Sequence, residues 1–317
     1  MTRKKMQMQK ALVLIVAILL AIYAISVIFI LAWGFITSLK SHLDFGAPHY
    51  NVIGFPTLNK DLPYNSCEQF WSWKNYSLVF KNFKFDEDIA FYRGGTLVEH
   101  AVEANYLTIL VYTILYAGVG SLILAFVPAI VAYICAKYKF FYSKVIYLFA
   151  LFALTMSIVG AYPSELTLLK NLGMYDTFWG NWIQKLSFTG TYFFVYLAYF
   201  EGVSDTYAEA AEIDGAGQFQ TMVRIVMPLA KTMISTVWLL VFVNLWNDYN
   251  TPLLYMPTKP TMAYAVYFLV FRDSVRELKR VPVQIAACML VALPILVVFL
   301  ILRNKMMANI SLGGIKE

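Results

Sequence analysis

The sequence predicts an all-α membrane protein with about six transmembrane helices. Of its 317 residues, 60% are hydrophobic and only 14% are charged, whereas about a quarter of the residues in a soluble domain are charged. Mean hydropathy is +0.63, and several uncharged runs reach the roughly 20 helical residues that cross a bilayer core. This apolar excess must face lipid or neighbouring helices, which excludes a soluble, disordered or nucleic-acid-binding protein.

The first predicted span covers residues 11–36, within an uncharged run that continues to residue 39. This run is too long for the apolar part of a signal peptide, usually about 7–15 residues, so we interpret it as a retained anchor. Basic residues favour the cytoplasmic side of a membrane. Residues 1–10 are therefore predicted to be cytoplasmic, because they contain Arg3, Lys4, Lys5 and Lys10.

Residues 37–104 are predicted to form an extracellular loop, since this is the one sizeable polar region of the chain. Four aromatic residues there are compatible with an interfacial belt, a small loop core or a ligand contact: Trp71, Trp73, Tyr76 and Phe80. The three histidines have no cysteine or carboxylate neighbour at ligand spacing, namely His42, His49 and His100. We therefore predict no metal site.

The membrane core is predicted to extend over residues 105–303 and to contain the remaining spans. Uncharged runs place these spans at 105–136, 145–164, 186–200, 232–247 and 281–302. An even number of spans returns the chain to its starting side, so residues 304–317 form a predicted cytoplasmic tail. Basic residues at 137–144 and 303–305 agree with this orientation, whereas those at 272–280 oppose it.

Motifs for nucleotide hydrolysis and for common catalytic sites are absent from the sequence. There is no G-x-x-x-x-G-K-[ST] phosphate loop, no H-E-x-x-H and no G-x-S-x-G. The three cysteines are too scattered for a disulfide framework or a zinc site, namely Cys67, Cys135 and Cys288. The chain is therefore not predicted to be an enzyme or to hold a cofactor, and any ATP hydrolysis requires a partner.

The segment 202–231 between the fourth and fifth spans differs from its apolar surroundings and is predicted to form two short helices. Thr206 and Glu209 have the spacing of a capping box, which favours a helix start. Ala208, Ala211 and Gly215 then place small side chains on one face, which would let another protein approach closely.

A bend is predicted to separate these two helices. Asp214 and Gly215 supply it, because glycine tolerates the backbone angles that end a helix. The second helix is predicted to end before Pro228. Its apolar face would consist of Phe219, Met222 and Val226.

This segment resembles the EAA loop of permease subunits in binding-protein-dependent ABC importers. The match consists of Glu209-Ala210-Ala211, then Gly215, nine residues, Ile225 and Pro228. Met227 stands where this family usually has leucine. The resemblance implies a type I ABC importer permease fold, with a cytoplasmic coupling helix at the EAA loop.

Other segments resemble the carbohydrate branch of the family, whose maltose-type permeases have a similar W-N-D-aromatic segment. They are 73–76, 224–230, 246–249 and the 313–317 tail. The resemblance covers span one and most of the chain from Asn105 onward. The outer segment 81–103 is longer than this branch usually carries.

The resemblance implies a set of partners and a docking role for the loop. The partners are a second permease subunit, forming a heterodimer, a cytoplasmic ABC ATPase dimer that holds ATP and Mg²⁺, and an extracellular solute-binding protein; membrane lipid surrounds the spans. ATPase coupling would involve Glu209, Ala210, Ala211, Asp214, Gly215, Ile225 and Pro228. Without the motif, Glu209 would merely cap its helix and the alanines would merely favour helicity.

A solute path needs polar groups near the bilayer midplane, where they are otherwise costly. Candidates are Asn244, Trp246, Asn247, Asp248 and Tyr249 at the end of the fifth span, with Glu165 at the end of the third. Amides and carboxylates bind sugar hydroxyls and aromatic rings stack on apolar sugar faces. The alternative is that these residues anchor helix ends at the interface.

The function predicted from the sequence is import of a carbohydrate, an oligosaccharide in particular, across a bacterial plasma membrane. One alternative is a related permease for another solute, such as a polyamine, phosphate or an amino acid. A second is an ion-coupled secondary transporter, although the sequence shows neither inverted repeats nor paired ionisable residues within its spans. A third is a membrane scaffold, which would leave the coupling loop unexplained.

Overall fold

The computed structural model describes residues 3–46, 51–56, 71–82, 84–93, 96–138, 140–156, 160–271 and 279–307. Most of these residues are helical, which confirms the predicted fold class. The chain forms two compact units, one of residues 1–83 and 268–292 and the other of residues 84–267 and 293–317. Part of the predicted tail, residues 308–317, lies outside the described residues, as do Cys67 and the basic residues at 272–278.

Fourteen helices and two strands are present in the described residues. In chain order they are α1 (Arg3–Ser38), α2 (His42–Phe45), α3 (Lys74–Asn82), β1 (Lys84–Arg93), β2 (Thr96–Asn105), α4 (Tyr106–Lys137), α5 (Phe141–Thr155), α6 (Ala161–Asn171), α7 (Phe178–Gln184), α8 (Thr191–Gly202), α9 (Thr206–Ile213), α10 (Gln218–Leu229), α11 (Lys231–Trp246), α12 (Asn250–Tyr255), α13 (Met262–Phe271) and α14 (Val281–Met307).

Three described helices are long and apolar enough to cross a bilayer. They are α1 from Lys10, α4 and the Val281–Ile301 part of α14, and all three were predicted from uncharged runs. A fourth span results if α10 and α11, which meet at an angle of 71°, are counted together. Side chains 10–32 of α1 are all exposed, so lipid or another chain must cover this helix.

The uncharged run 145–164, which was predicted to form one span, is not a single helix. Helix α5 ends at Thr155, and α6 begins only at Ala161. Gly160 precedes α6 with φ 83°, a left-handed conformation that interrupts a helix. An uncharged run shows where a chain can enter lipid, but it does not show where its helix breaks.

The second unit contains an antiparallel hairpin that was not predicted. Strands β1 and β2 pair along ten residues each, from Lys84↔Asn105 to Arg93↔Thr96. Phe85, Val102 and Ala104 are buried and share one face, because side chains alternate along a strand. The Phe85 ring lies 5.2 Å from that of Tyr264. The unusually long outer segment is therefore largely a β-hairpin.

The core of the second unit consists mainly of α4, α8 and α11. Small residues of α4, namely Ala125, Ala129 and Ala132, are fully buried and leave space for the aromatic side chains of α8. The rings of Tyr133 and Phe200 pack edge to face with centroids 5.6 Å apart. This packing fixes the ends of α4 and α8, where the segment 202–231 begins.

In the first unit, the segment 73–76 closes the end of α1. The buried Asn75 side chain donates hydrogen bonds to the carbonyls of Ser38 and Lys40, both at 2.8 Å. The hydroxyls of Tyr76 and Ser38 lie 2.7 Å apart. Because α1 ends with unpaired carbonyls, these contacts supply the donors that the helix end needs.

Lys40, just beyond α1, is fully buried. Its ammonium donates hydrogen bonds to the carbonyls of Asn51 and Val52. Burial lowers the pKa of Lys40, and the nearby Asp44 carboxylate opposes this shift. Several aromatic and polar residues of the outer loop thus form a small core at the end of α1, one of the roles left open by the sequence.

Replacing Asn75 with alanine is expected to destabilise this loop core. Two buried carbonyls would lose their donor, at a cost of about 1–3 kcal/mol. We expect faster proteolysis within residues 41–73 of the purified protein, while Ser77→Ala, at an exposed neighbouring position, should be cleaved at the wild-type rate. Equal cleavage rates in both variants would contradict a capping role for Asn75.

Candidate functional site

The segment 202–231 forms the predicted helix–bend–helix. Helix α9 ends at Ile213, and α10 begins at Gln218. Both belong to the second unit. Helix α10 is followed after a single residue, Ala230, by α11, so the bent pair connects α9 directly to a core helix.

The bend at Gly215 is a Schellman motif. The Ala216 N–H donates to the Ala211 carbonyl at 2.9 Å, and the Gly215 N–H donates to the Glu212 carbonyl at 3.0 Å. Gly215 has φ 78°, the left-handed conformation that this motif requires. The geometry at Gly215 therefore agrees with the predicted bend. It depends on a positive φ, which raises the free energy of the folded state for most residues other than glycine.

The two faces of α9 differ from the expectation. Ala211 is only 3% exposed and packs against its own chain, and Ala208 is half-buried. Ala208 and Ala211 therefore face the rest of the chain, whereas Gly215 is exposed, and the approach of a partner to this face stays a prediction. Small side chains here allow α9 to lie close to the rest of its own segment.

The exposed face of α9 carries Glu209, Ala210 and Ile213. Ile213 is 87% exposed, which is unusual for a large apolar side chain in a loop. This combination of a carboxylate, a small residue and an uncovered isoleucine is suited to contact with another protein. Ile213 was not predicted, because its type and its neighbours Glu212 and Asp214 do not show which way its side chain faces.

The predicted capping box at the start of α9 is not formed. Thr206 is the first residue of the helix, and its hydroxyl lies 2.8 Å from that of Ser204. Asp205 occupies the N-cap position, and its carboxylate forms a 2.7 Å ion pair with Lys137. Glu209 is thereby left on the exposed face.

Helix α10 also differs from its prediction. Its middle, Met222–Val226, is π-helical, and Val226 is buried whereas Phe219 is 72% exposed. The helix passes through Pro228 and ends at Leu229. Proline is compatible with a helix wherever its missing N–H is not needed. The bend falls at Ala230, and Ile225 is half-buried on the way to it.

The predicted solute-contact residues fall into two groups. Trp246 is 2% exposed, with its ring 5.5 Å from Phe242. Asp248 accepts a hydrogen bond from the Tyr116 hydroxyl at 2.6 Å and another from the Thr251 N–H at 3.1 Å. Both therefore have structural contacts within the chain.

The second group lies on the surface of the chain: Asn244, Asn247, Tyr249 and Glu165. Tyr249 stacks on Tyr267 with ring centroids 4.7 Å apart and planes within 10°. Glu165 accepts a 2.7 Å hydrogen bond from the Tyr255 hydroxyl. Asn244 and Asn247 lie one turn apart at the end of α11, so these amides are the groups of this set best placed to meet a solute.

A buried lysine was missed by the sequence analysis. Lys185 is 8% exposed, its ammonium donates to the Asn181 side-chain oxygen, and it lies 4.5 Å from the centre of the Tyr116 ring. Gly120 leaves room for it, because a Cβ there would lie 2.9 Å from the Lys185 Cδ. A lysine at the edge of an uncharged run gave no sign of this burial.

Asp176 connects two loops of the same unit. It is the one described non-glycine residue with a positive φ, 59°. Its carboxylate accepts hydrogen bonds from the N–H and hydroxyl of Thr258, and its N–H donates to the Tyr255 carbonyl at 2.9 Å. These contacts hold the loop before α7 against the end of α12. In the described part of the chain, no group of three or more His, Cys, Asp or Glu side chains could hold a metal ion.

The second unit thus combines apolar helices with a helix–bend–helix between α8 and α11, the arrangement expected of a permease subunit. Residues 106–304 match the family described as "Binding-protein-dependent transport system inner membrane component". The chain belongs to this family. The match begins at the first residue of α4, so the β-hairpin lies outside it.

Two of the relatives that match this chain are named for the uptake of sugars. The chain is 27% identical over 240 residues to the melibiose/raffinose/stachyose import permease protein MelC of Bacillus subtilis, covering 73% of this chain and 83% of that protein. It is 25% identical over 198 residues to the diacetylchitobiose uptake system permease protein NgcG of Streptomyces coelicolor, covering 62% and 65%.

A solved structure shares the fold. It belongs to a bacterial ABC transporter involved in the import of the acidic polysaccharide alginate. The TM-score is 0.65 at 19% sequence identity, and the similarity covers 96% of this chain and 98% of that one.

Proposed function

We propose that this chain is the transmembrane permease subunit of an ATP-driven, binding-protein-dependent importer of an oligosaccharide. The observation that carries the proposal is the segment 202–231, in which a short helix with an exposed face is connected through a Schellman bend to a core helix. Family membership and the sugar-named relatives support the carbohydrate class.

Each proposed partner has a separate role in transport. An ABC ATPase dimer binds ATP and Mg²⁺, because this chain has no phosphate loop. A second permease subunit completes the translocation pathway, and an extracellular binding protein delivers the solute. In this arrangement the chain spans the plasma membrane several times, with both termini in the cytoplasm.

Coupling follows from how α9 is held. Its exposed face, with Glu209, Ala210 and Ile213, docks on the ATPase. Two backbone hydrogen bonds at Gly215 fix α9 relative to the start of α10, and α10 meets α11 at 71°. A displacement of α9 by the ATPase is therefore passed to α11 as a rigid-body movement, and α11 carries the amides of Asn244 and Asn247.

The Ala210→Trp variant tests the docking face. A bulky ring at this exposed small position should prevent close approach and lower ATPase recovery at least tenfold, a loss of about 1.4 kcal/mol in binding. The measurement is co-purification of partners with the solubilised chain from its native membrane. Gln220→Trp, at an exposed position on α10, is the matched control. Full ATPase recovery with Ala210→Trp would contradict docking through α9.

Substrate class needs a separate assay. The binding protein recovered with the complex, or purified beside it, should bind oligosaccharides in calorimetric titrations. Binding of a polyamine, phosphate or an amino acid would favour the related permease alternative, and a lone chain that still moves solute would favour an ion-coupled transporter.

A further inference from the structure

Lys137, the last residue of α4, contacts the segment through which α8 leads into α9. Its ammonium donates a hydrogen bond to the Val203 carbonyl, 2.5 Å away, and forms a 2.7 Å ion pair with the Asp205 carboxylate. The Lys137 side chain is only 13% exposed, while that of Asp205 is 75% exposed. One largely buried cation therefore binds both ends of the three-residue connection 203–205.

The Lys137 ammonium lies at the C-terminal ends of two helices and contacts the N-terminal end of a third through the Asp205 carboxylate. Lys137 terminates α4, and Val203 is the C-cap of α8, so the ammonium lies near the negative ends of two helix dipoles. Asp205 is the N-cap of α9, and its main-chain carbonyl accepts hydrogen bonds from the N–H groups of Ala208 and Glu209. The contact thus links two packed core helices to the first turn of α9.

The sequence alone gives Lys137 a simpler role, that of a cytoplasmic charge that orients the chain. Lys144, in α5, would serve that purpose equally well and is exposed. Burial and two oriented contacts separate Lys137 from such a charge, because an orienting lysine needs neither.

We propose that Lys137 is a positioning residue for coupling, which holds the entry of α9 on the α4–α8 pair so that movement of the ATPase-bound helix moves the core. This proposal rests on the proposed function. Without the contact, α9 still docks, since its exposed face is unchanged, but the 203–205 connection bends and absorbs part of the movement.

The test compares Lys137→Met and Lys144→Met in proteoliposomes containing the complete complex and its loaded binding protein. Both variants remove one cytoplasmic lysine charge. For Lys137→Met we expect normal recovery of the ATPase but about a tenfold fall in solute imported per ATP hydrolysed, as for loss of a charge-assisted hydrogen bond. Lys144→Met should match wild type.

A second variant distinguishes loss of the Lys137–Asp205 contact from misfolding of the chain. Asp205 is largely exposed, so Asp205→Ala should leave the fold intact and lower the import-to-hydrolysis ratio in the same direction, to a smaller extent. Wild-type ratios in both Lys137→Met and Asp205→Ala would overturn the proposal. Wild-type protein that recovers no ATPase would instead overturn the proposed function, so the two failures are distinguishable.

Discussion

Gly215→Val is expected to abolish solute import and to remove the ATPase from the purified complex, while the chain still inserts in the membrane. Gly215 has φ 78°, and a β-branched residue in this conformation costs about 1–3 kcal/mol. That penalty opposes both Schellman hydrogen bonds, so α9 and α10 would separate into other arrangements. Insertion is unaffected because no membrane span changes. The measurements are co-purification and transport in proteoliposomes.

Two other glycine variants show whether the backbone angle is the cause. Gly217 has φ −71°, and an added Cβ there would meet nothing within 4 Å. Gly217→Val should therefore retain the ATPase and transport. Gly215→Asn should fall between Gly215→Val and wild type, since asparagine tolerates the left-handed region better than valine. Normal import by Gly215→Val would refute the coupling-loop assignment, and equal loss in Gly217→Val would indicate crowding by the side chain.

The features of the segment 202–231 that could be predicted depend on short stretches of sequence. The bend at Gly215 follows from a glycine after a short helix, whereas the end of α10 at Leu229, beyond Pro228, did not follow from the sequence. The exposed face of α9 could not be predicted in this way. Whether Ala211 or Ile213 faces outward depends on the packing of α9 against the rest of the chain. The small residues are equally compatible with packing against a partner and with packing against the chain itself.

Non-local contacts account for the other differences. The hairpin of β1 and β2 arises in a polar segment whose charges hid its alternation, and its buried face packs near Tyr264, far along the sequence. Lys185 is buried because Gly120 leaves space for it. Neither Lys185 nor Gly120, considered alone, indicates this burial. Uncharged runs located α1, α4 and α14 well, because length and lack of charge suffice for a single long helix in lipid.

Asp248→Ala is expected to lower stability more than changes at the exposed residues Asn244 and Asn247 near the end of α11. Asp248 accepts the hydrogen bond of the fully buried Tyr116 hydroxyl, and the Tyr116 ring lies against the Lys185 ammonium. Removing the carboxylate takes away the acceptor of the buried Tyr116 hydroxyl and the negative charge near the buried Lys185 ammonium. Together these cost about 3 kcal/mol. The readout is the midpoint of thermal unfolding of the complex in detergent.

A double-mutant cycle separates these contributions. If the hydroxyl contact matters, Tyr116→Phe combined with Asp248→Ala should cost less than the sum of the two single changes, because the phenylalanine has no hydroxyl left unpaired. Asn247→Ala is the control, since its exposed side chain donates to the Val243 carbonyl of its own helix. Additive effects, or an Asp248→Ala midpoint equal to that of Asn247→Ala, would argue against the network.

Transport assays on single variants test which residues at the end of α11 contact the solute. If Asp248 stabilises the interior through Tyr116 and Lys185, its loss should lower the unfolding midpoint without changing the order in which sugars are preferred. Asn244→Ala and Asn247→Ala should do the opposite, altering apparent affinity for solute at an unchanged midpoint, because both amides lie on the surface at the end of α11. A change of sugar preference in Asp248→Ala at wild-type stability would assign the carboxylate to the solute path instead.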